Sequence, residues 1–186
     1  PLKEEYLFSG VPAPSAYGYG FAKRNTVILA RAYRQERGLP TIVIIPNNSY
    51  GPGETLDPKT SHVIPSLIYK CLTKKILTVW GDGTPIRDFL YIKDFTEGLL
   101  LAAEKLESSE PVNIGSGQKT SVKKLVSVIC RLTNFKGEVM FDTTKPNGQK
   151  ERIVDITRIQ KLTGFQPAWS LEDGLKETVS YIKSQI

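Results

Sequence analysis

The feature that most limits what this chain can become is a long helical stretch that stops abruptly and runs straight into a strand. Residues 15–37 carry few interruptions, and Gly38 followed by Pro40 supplies a C-cap and a stop. Thr41-Ile42-Val43-Ile44-Ile45 follows at once. A continuous β-branched run of that length is the signature of a strand buried on both faces. A helix feeding directly into such a strand is a piece of a parallel α/β sheet.

The same helix presents chemistry near its start, in Tyr17-Gly18-Tyr19-Gly20-Phe21-Ala22-Lys23. Tyr19 and Lys23 are four residues apart and so share one helix face. An ammonium beside a phenol favours the phenolate, which suits Tyr19 to proton transfer at a carbonyl or alcohol. Tyr17 is the poorer candidate, because its fourth neighbour is Phe21. On the spacing alone, an ordinary surface Tyr–Lys pair is the better reading.

Downstream, residues 46–60 form a long polar stretch with Gly51, Pro52, Gly53 and Pro58, a length that marks a functional or disordered loop. Thr60 or Ser61 is positioned to cap a helix through about Thr73. Short strands are expected at 77–80, 89–92, 112–115, 138–141 and 152–155. Helices are expected from Asp94 as N-cap to Leu106, from Thr120 or Ser121 to Thr133, and over 157–163. A last helix begins behind Ser170-Leu171-Glu172-Asp173, a capping-box-like start. Residues 1–14, with three prolines, read as a loop.

Composition narrows the function classes. The net charge is +6, but Lys and Arg are scattered, with neither a basic stripe nor a stacking motif for nucleic acid. No run of 18 apolar residues and no signal-peptide pattern is present, which leads us to expect a soluble cytoplasmic protein with no membrane partner. Cys71 and Cys130 lack metal-ligand spacing and read as buried free thiols, and no metal site is expected.

Three ordered landmarks turn the Tyr19/Lys23 pair into a resemblance. Pro46-Asn47-Asn48-Ser49-Tyr50-Gly51-Pro52, then Ser61-His62-Val63-Ile64-Pro65, then Trp80-Gly81-Asp82-Gly83-Thr84-Pro85-Ile86-Arg87-Asp88-Phe89-Leu90 follow it in sequence. With Tyr-x-x-x-Lys, this order resembles the extended short-chain dehydrogenase/reductases that act on nucleotide sugars, and most of all their GDP-L-fucose synthase branch. The resemblance runs through the whole chain. It implies the C-terminal part of a Rossmann-like parallel sheet plus a smaller α/β substrate domain, with the division near residue 53. It also implies a homodimer through the Tyr/Lys helix.

By the same resemblance, Tyr19 exchanges the proton at the carbon that exchanges hydride, and Lys23 tunes Tyr19 and bonds the nicotinamide ribose. His62 is the acid of epimerisation beside a sugar ketone, a task suited to an imidazole. Pro46, Asn48 and His62 lie beside the cofactor, which is NADP in that branch and NAD in others. Asn48, Lys70, Trp80, Arg87 and Lys145 contact a nucleotide-sugar substrate, GDP-linked by preference. Arg87 would grip the diphosphate with its planar fork, the alternative being an ion pair with Asp82 or Asp88.

The 186 residues hold no Gly-x-Gly-x-x-Gly, the turn that cradles a dinucleotide pyrophosphate. The family places that turn, several βα units and a catalytic Ser/Thr ahead of the Tyr/Lys helix, and its fucose-synthase-like members a catalytic Cys there too. The chain therefore reads as the C-terminal portion of an enzyme, inactive alone and prone to aggregate through an exposed sheet edge. Other NAD-dependent 4-epimerases or 4,6-dehydratases, and a non-catalytic binding module, remain alternative readings.

Overall fold

The computed structural model describes residues 1–57 and 60–186, so Pro58 of the expected loop lies outside the described residues. The long helix α1 spans Tyr17–Arg37, and β1 spans Val43–Pro46. Gly38 closes α1 at φ 63°, its N–H bonding back to the Arg34 carbonyl, as the sequence expects. The chain continues through β2 (Asn48–Tyr50), α2 (Val63–Thr73), β3 (Ile76–Trp80), β4 (Ile86–Arg87) and β5 (Phe89–Tyr91). It then forms α3 (Ile92–Lys105), β6 (Pro111–Ile114), β7 (Thr120–Ser121) and α4 (Val122–Thr133). It ends with β8 (Glu138–Asp142), β9 (Glu151–Arg152), α5 (Thr157–Thr163) and α6 (Leu171–Ser184).

Parallel pairing dominates. β1 runs beside β6, β2 beside β5, β3 beside β8 and β4 beside β9; among the described residues only β4–β7 is antiparallel. Two cores result. The larger packs α2, α4 and α6 over the strands through Ile64, Ile68, Leu77, Leu125, Ile129 and Leu175, all essentially sealed from solvent. The smaller gathers Leu90, Val112, Ile114, Ile159 and Phe165 under Ile44. Among the described residues β1 has β6 as its sole sheet neighbour, so its other edge is unpaired. No helix of the described residues is long and apolar enough to cross a membrane.

Four local expectations change. The long polar stretch after β1 contains the strand β2, because Asn48-Ser49-Tyr50 finds Phe89-Leu90-Tyr91 to pair with. Helix α2 is entered through His62, not Thr60 or Ser61; Thr60 instead bonds Asp57, and its hydroxyl is used there. Asp94 lies inside the first turn of α3. Its buried carboxylate accepts the N–H groups of Ala168 and Trp169, tying α3 to the segment before α6. The N-terminal loop holds two 3-10 turns, and Leu2 bridges Val154, taking up part of the strand expected at 152–155. Ser121 and Ser170 cap α4 and α6 as expected, accepting the N–H groups of Lys124 and Asp173.

Candidate functional site

Tyr19 and Lys23 do share a face of α1. The Lys23 Nζ lies 5.5 Å from the centroid of the Tyr19 ring, and the Tyr19 side chain is exposed at the rim of a cleft. The cleft holds about 420 Å³ and is assembled where several elements end. Its floor is the C-terminal end of β1 and the β2 strand beyond it, with Pro46, Asn47 and Asn48. Open α/β sheets bind ligands at this end of their strands. The start of α2 contributes His62, β5 contributes Phe89, and β9 contributes Arg152.

The backbone there permits close approach. A Cβ on Gly51 would come within 2.4 Å of the Ile92 side chain, so the turn out of β2 can pass α3 only as glycine. Gly53, at φ 93°, then turns the chain to deliver Glu54 to the cleft wall. Asp57 holds the return, its carbonyl accepting the N–H groups of Thr60 and Ser61. His62 follows, with its Nδ1 3.2 Å from Glu54 Oε1. Asn48 is tied from the side, its amide donating to the Asp88 carbonyl at 3.0 Å and to Asn47 Oδ1 at 3.2 Å.

The cleft thus unites Tyr19, Pro46, Asn48 and His62, with Lys23 beside Tyr19. Arg87, Trp80 and Lys145 form a neighbouring group rather than cleft lining. Lys145 Nζ sits 5.9 Å from the centroid of the exposed Trp80 ring. The Arg87 Nη1 donates to the carbonyls of Ile86 and Gln149, each at 2.8 Å. Asp142 and Asn147 fasten the intervening turn, Asp142 by bonding Thr144 and Asn147 by accepting the Asp82 N–H at 2.9 Å. Lys70 stands half-buried on α2, outside both groups.

Neither acid suggested for Arg87 holds it. Asp88 is fully buried and accepts the N–H groups of Ser116 and Gly117, while Asp82 accepts from Thr84. The neighbour of Arg87 is instead a second arginine, because β4 and β9 set Arg87 opposite Arg152. Burial first, and the Arg152 charge second, pull the Arg87 guanidinium below its ordinary range. Two guanidinium groups beside each other have the charge and the donor forks that a multiply charged anion would bridge. Glu54 and Arg152 were not singled out from the sequence. Arg152 is placed by strand pairing between distant segments, and Glu54 by a glycine turn.

Comparison with known proteins gives the family of the chain. A model of the NAD dependent epimerase/dehydratase family matches residues 1–115. A GDP-L-fucose synthase of Sinorhizobium fredii (strain NGR234) is 37% identical over the whole of this chain and 60% of its own length. A probable GDP-L-fucose synthase 1 of rice (Oryza sativa subsp. japonica) is 32% identical over 97% of this chain and 56% of its own length. The crystal structure of a GDP-L-fucose synthetase from Naegleria fowleri bound to NADP superposes with a TM-score of 0.92 at 29% identity. That match covers all of this chain and 61% of the other. The chain therefore spans somewhat under two thirds of the length of the relatives it matches. It belongs to the NAD dependent epimerase/dehydratase family.

Proposed function

We propose that this chain carries the substrate-binding and proton-transfer part of a GDP-sugar epimerase/reductase of the GDP-L-fucose synthase kind. Its substrate would be GDP-4-keto-6-deoxymannose, epimerised beside the ketone and then reduced. The observation that carries the reading is the single cleft lined by Tyr19, Asn48 and His62, one strand register away from Arg87. The GDP-L-fucose synthase relatives support the choice of substrate.

The residues present fit the nicotinamide end of NADP. Tyr19 and Lys23 stand together at the C-terminal end of β1, where Pro46 and Asn48 form the floor. NADPH, when bound, supplies the hydride. Tyr19 gives the sugar oxygen its proton as the ketone is reduced, and Lys23 stabilises the phenolate left behind. In the preceding epimerisation, His62 returns a proton to the carbon beside the ketone. Asn48, held by Asp88, keeps its amide oxygen for a sugar hydroxyl. Arg87 and Arg152 take the diphosphate, with Trp80 and Lys145 reaching the nucleotide and sugar.

We place the division between cofactor and substrate parts near residue 53, with 111–114 and 156–165 packing back onto β1. The homodimer implied by the family resemblance has a candidate face on α1, where Phe21, Ile28, Leu29 and Tyr33 are exposed. The cytoplasm is the expected compartment. Calorimetric titration of GDP into the 186-residue chain tests the reading. Saturable binding with no NADPH oxidation by this chain is expected, and absence of GDP binding overturns it.

A further inference from the structure

Glu54 is the acidic side chain lining the cleft, and its surroundings are unusual for a carboxylate. Its Oε1 lies 3.2 Å from His62 Nδ1, while its Oε2 is buried without a hydrogen-bond partner among the described residues. The Glu54 side chain is 23% exposed and that of His62 79%. A half-buried carboxylate with one unsatisfied oxygen is costly unless a donor or cation meets it. The charged or titratable groups that share the cleft are Tyr19, Tyr50, His62 and Arg152, and the hydrogen-bond partner of Glu54 is His62.

A carboxylate is an acceptor only, so the imidazole nitrogen facing it must carry the hydrogen. Which nitrogen of a histidine works is set by the bond that the other one makes. Helix α2 offers no competing partner, because the His62 side chain makes no capping bond to it. We propose that Glu54 is a positioning residue, holding His62 as the Nδ1–H tautomer and leaving Nε2 as the nitrogen that exchanges protons with substrate. This rests on the reading of His62 as the acid of epimerisation. In that step the imidazolium gives its Nε2 proton to the carbon of the enolate and returns to the neutral Nδ1–H form. The Glu54 carboxylate is unchanged by the transfer, and no further reactant is consumed.

The chain contains one histidine, which makes the test direct. The nitrogen-15 shifts of the imidazole, measured on the labelled chain at a pH where the ring is neutral, report the ratio of the two tautomers. Wild-type protein is expected to show Nδ1–H as the majority form, the reverse of a free imidazole. Glu54→Leu is expected to restore the free ratio. Glu54→Gln, whose amide oxygen still accepts, is expected to keep an intermediate one. A wild-type ratio equal to that of a short histidine peptide would overturn the inference without recourse to any variant, and so would identical ratios in wild type and Glu54→Leu. The spectrum reads the pair whether or not the chain binds GDP. Loss of the tautomer bias therefore sinks the role of Glu54 alone, whereas absence of GDP binding with the bias intact sinks the proposed function alone.

Discussion

Arg87 and Arg152 are register partners across two parallel strands, two cations side by side with no carboxylate paired to either among the described residues. Folding places them there against their mutual repulsion, and burial adds to the cost at Arg87. An anion that bridges them relieves both penalties. Arg87→Ala and Arg152→Ala should each weaken GDP binding by about 10- to 100-fold. That is the loss of a charge-assisted pair worth about 1.5–3 kcal/mol. Titration calorimetry checks this, and affinity in both variants equal to wild type would remove the diphosphate from this pair.

Asp94 is buried to 1% exposure and accepts two backbone N–H groups, from Ala168 at 3.0 Å and Trp169 at 3.1 Å. Those bonds seat Trp169 against Tyr91, their ring centroids 4.7 Å apart. Asp94→Ala leaves two N–H groups without their acceptor. It should destabilise the fold by about 2–4 kcal/mol, with Asp94→Asn costing less because one amide oxygen remains. Denaturant melts of the three proteins measure this directly. A melt of Asp94→Ala that coincides with wild type would show that these two bonds add nothing to stability.

The contrast between Asp94 and Ser170 marks where the sequence was readable. Ser170 followed by Glu172 and Asp173 is a local signal, and the cap it predicts is present because both partners lie within one turn. Asp94 carried the same local signal, yet its partners sit far along the chain, so tertiary bonding overrode the cap. The Tyr19/Lys23 pair and the end of β1 were legible for the local reason: a helix face and a strand terminus fix them. Glu54 and Arg152 were not, since a glycine turn aims one and a long-range strand register aims the other. The strand β2 was hidden likewise. Asn-Ser-Tyr has little strand character until β5 offers it an edge.

Cys71 lies in the larger core on α2 and faces Cys130 on α4. Burial, and the neighbouring Cys130, push the Cys71 thiol up to about 12. The fold therefore retains a proton there that the unfolded chain releases near its ordinary value. The stability this supplies is fully present below about pH 9 and is lost as pH climbs towards 12. The same shift makes the thiol inert. The Cys71 thiol stays almost wholly protonated at pH 8, so iodoacetamide should label it far more slowly than an unfolded cysteine. The native labelling rate should rise about tenfold per pH unit between 8 and 10. A rate in folded protein matching that of the denatured chain would contradict this burial.

Tyr19 and His62 line one cleft but are assigned to different steps, and that separation can be tested in a longer form of the protein that turns over. Tyr19→Phe removes the phenol proposed as proton donor for reduction. It should lower NADPH oxidation by at least about 10²-fold, the usual contribution of a positioned acid or base, while GDP affinity stays near wild type. His62→Asn should instead spare reduction and slow the exchange of substrate carbon-bound hydrogen with solvent deuterium. The two readouts are independent, one optical and one by mass. If His62→Asn depressed both to the same degree, the imidazole would be shaping the cleft and not transferring the epimerisation proton. Tyr19→Phe would remain diagnostic in that event, because the transfer proposed for the phenol is to the sugar oxygen and does not pass through His62.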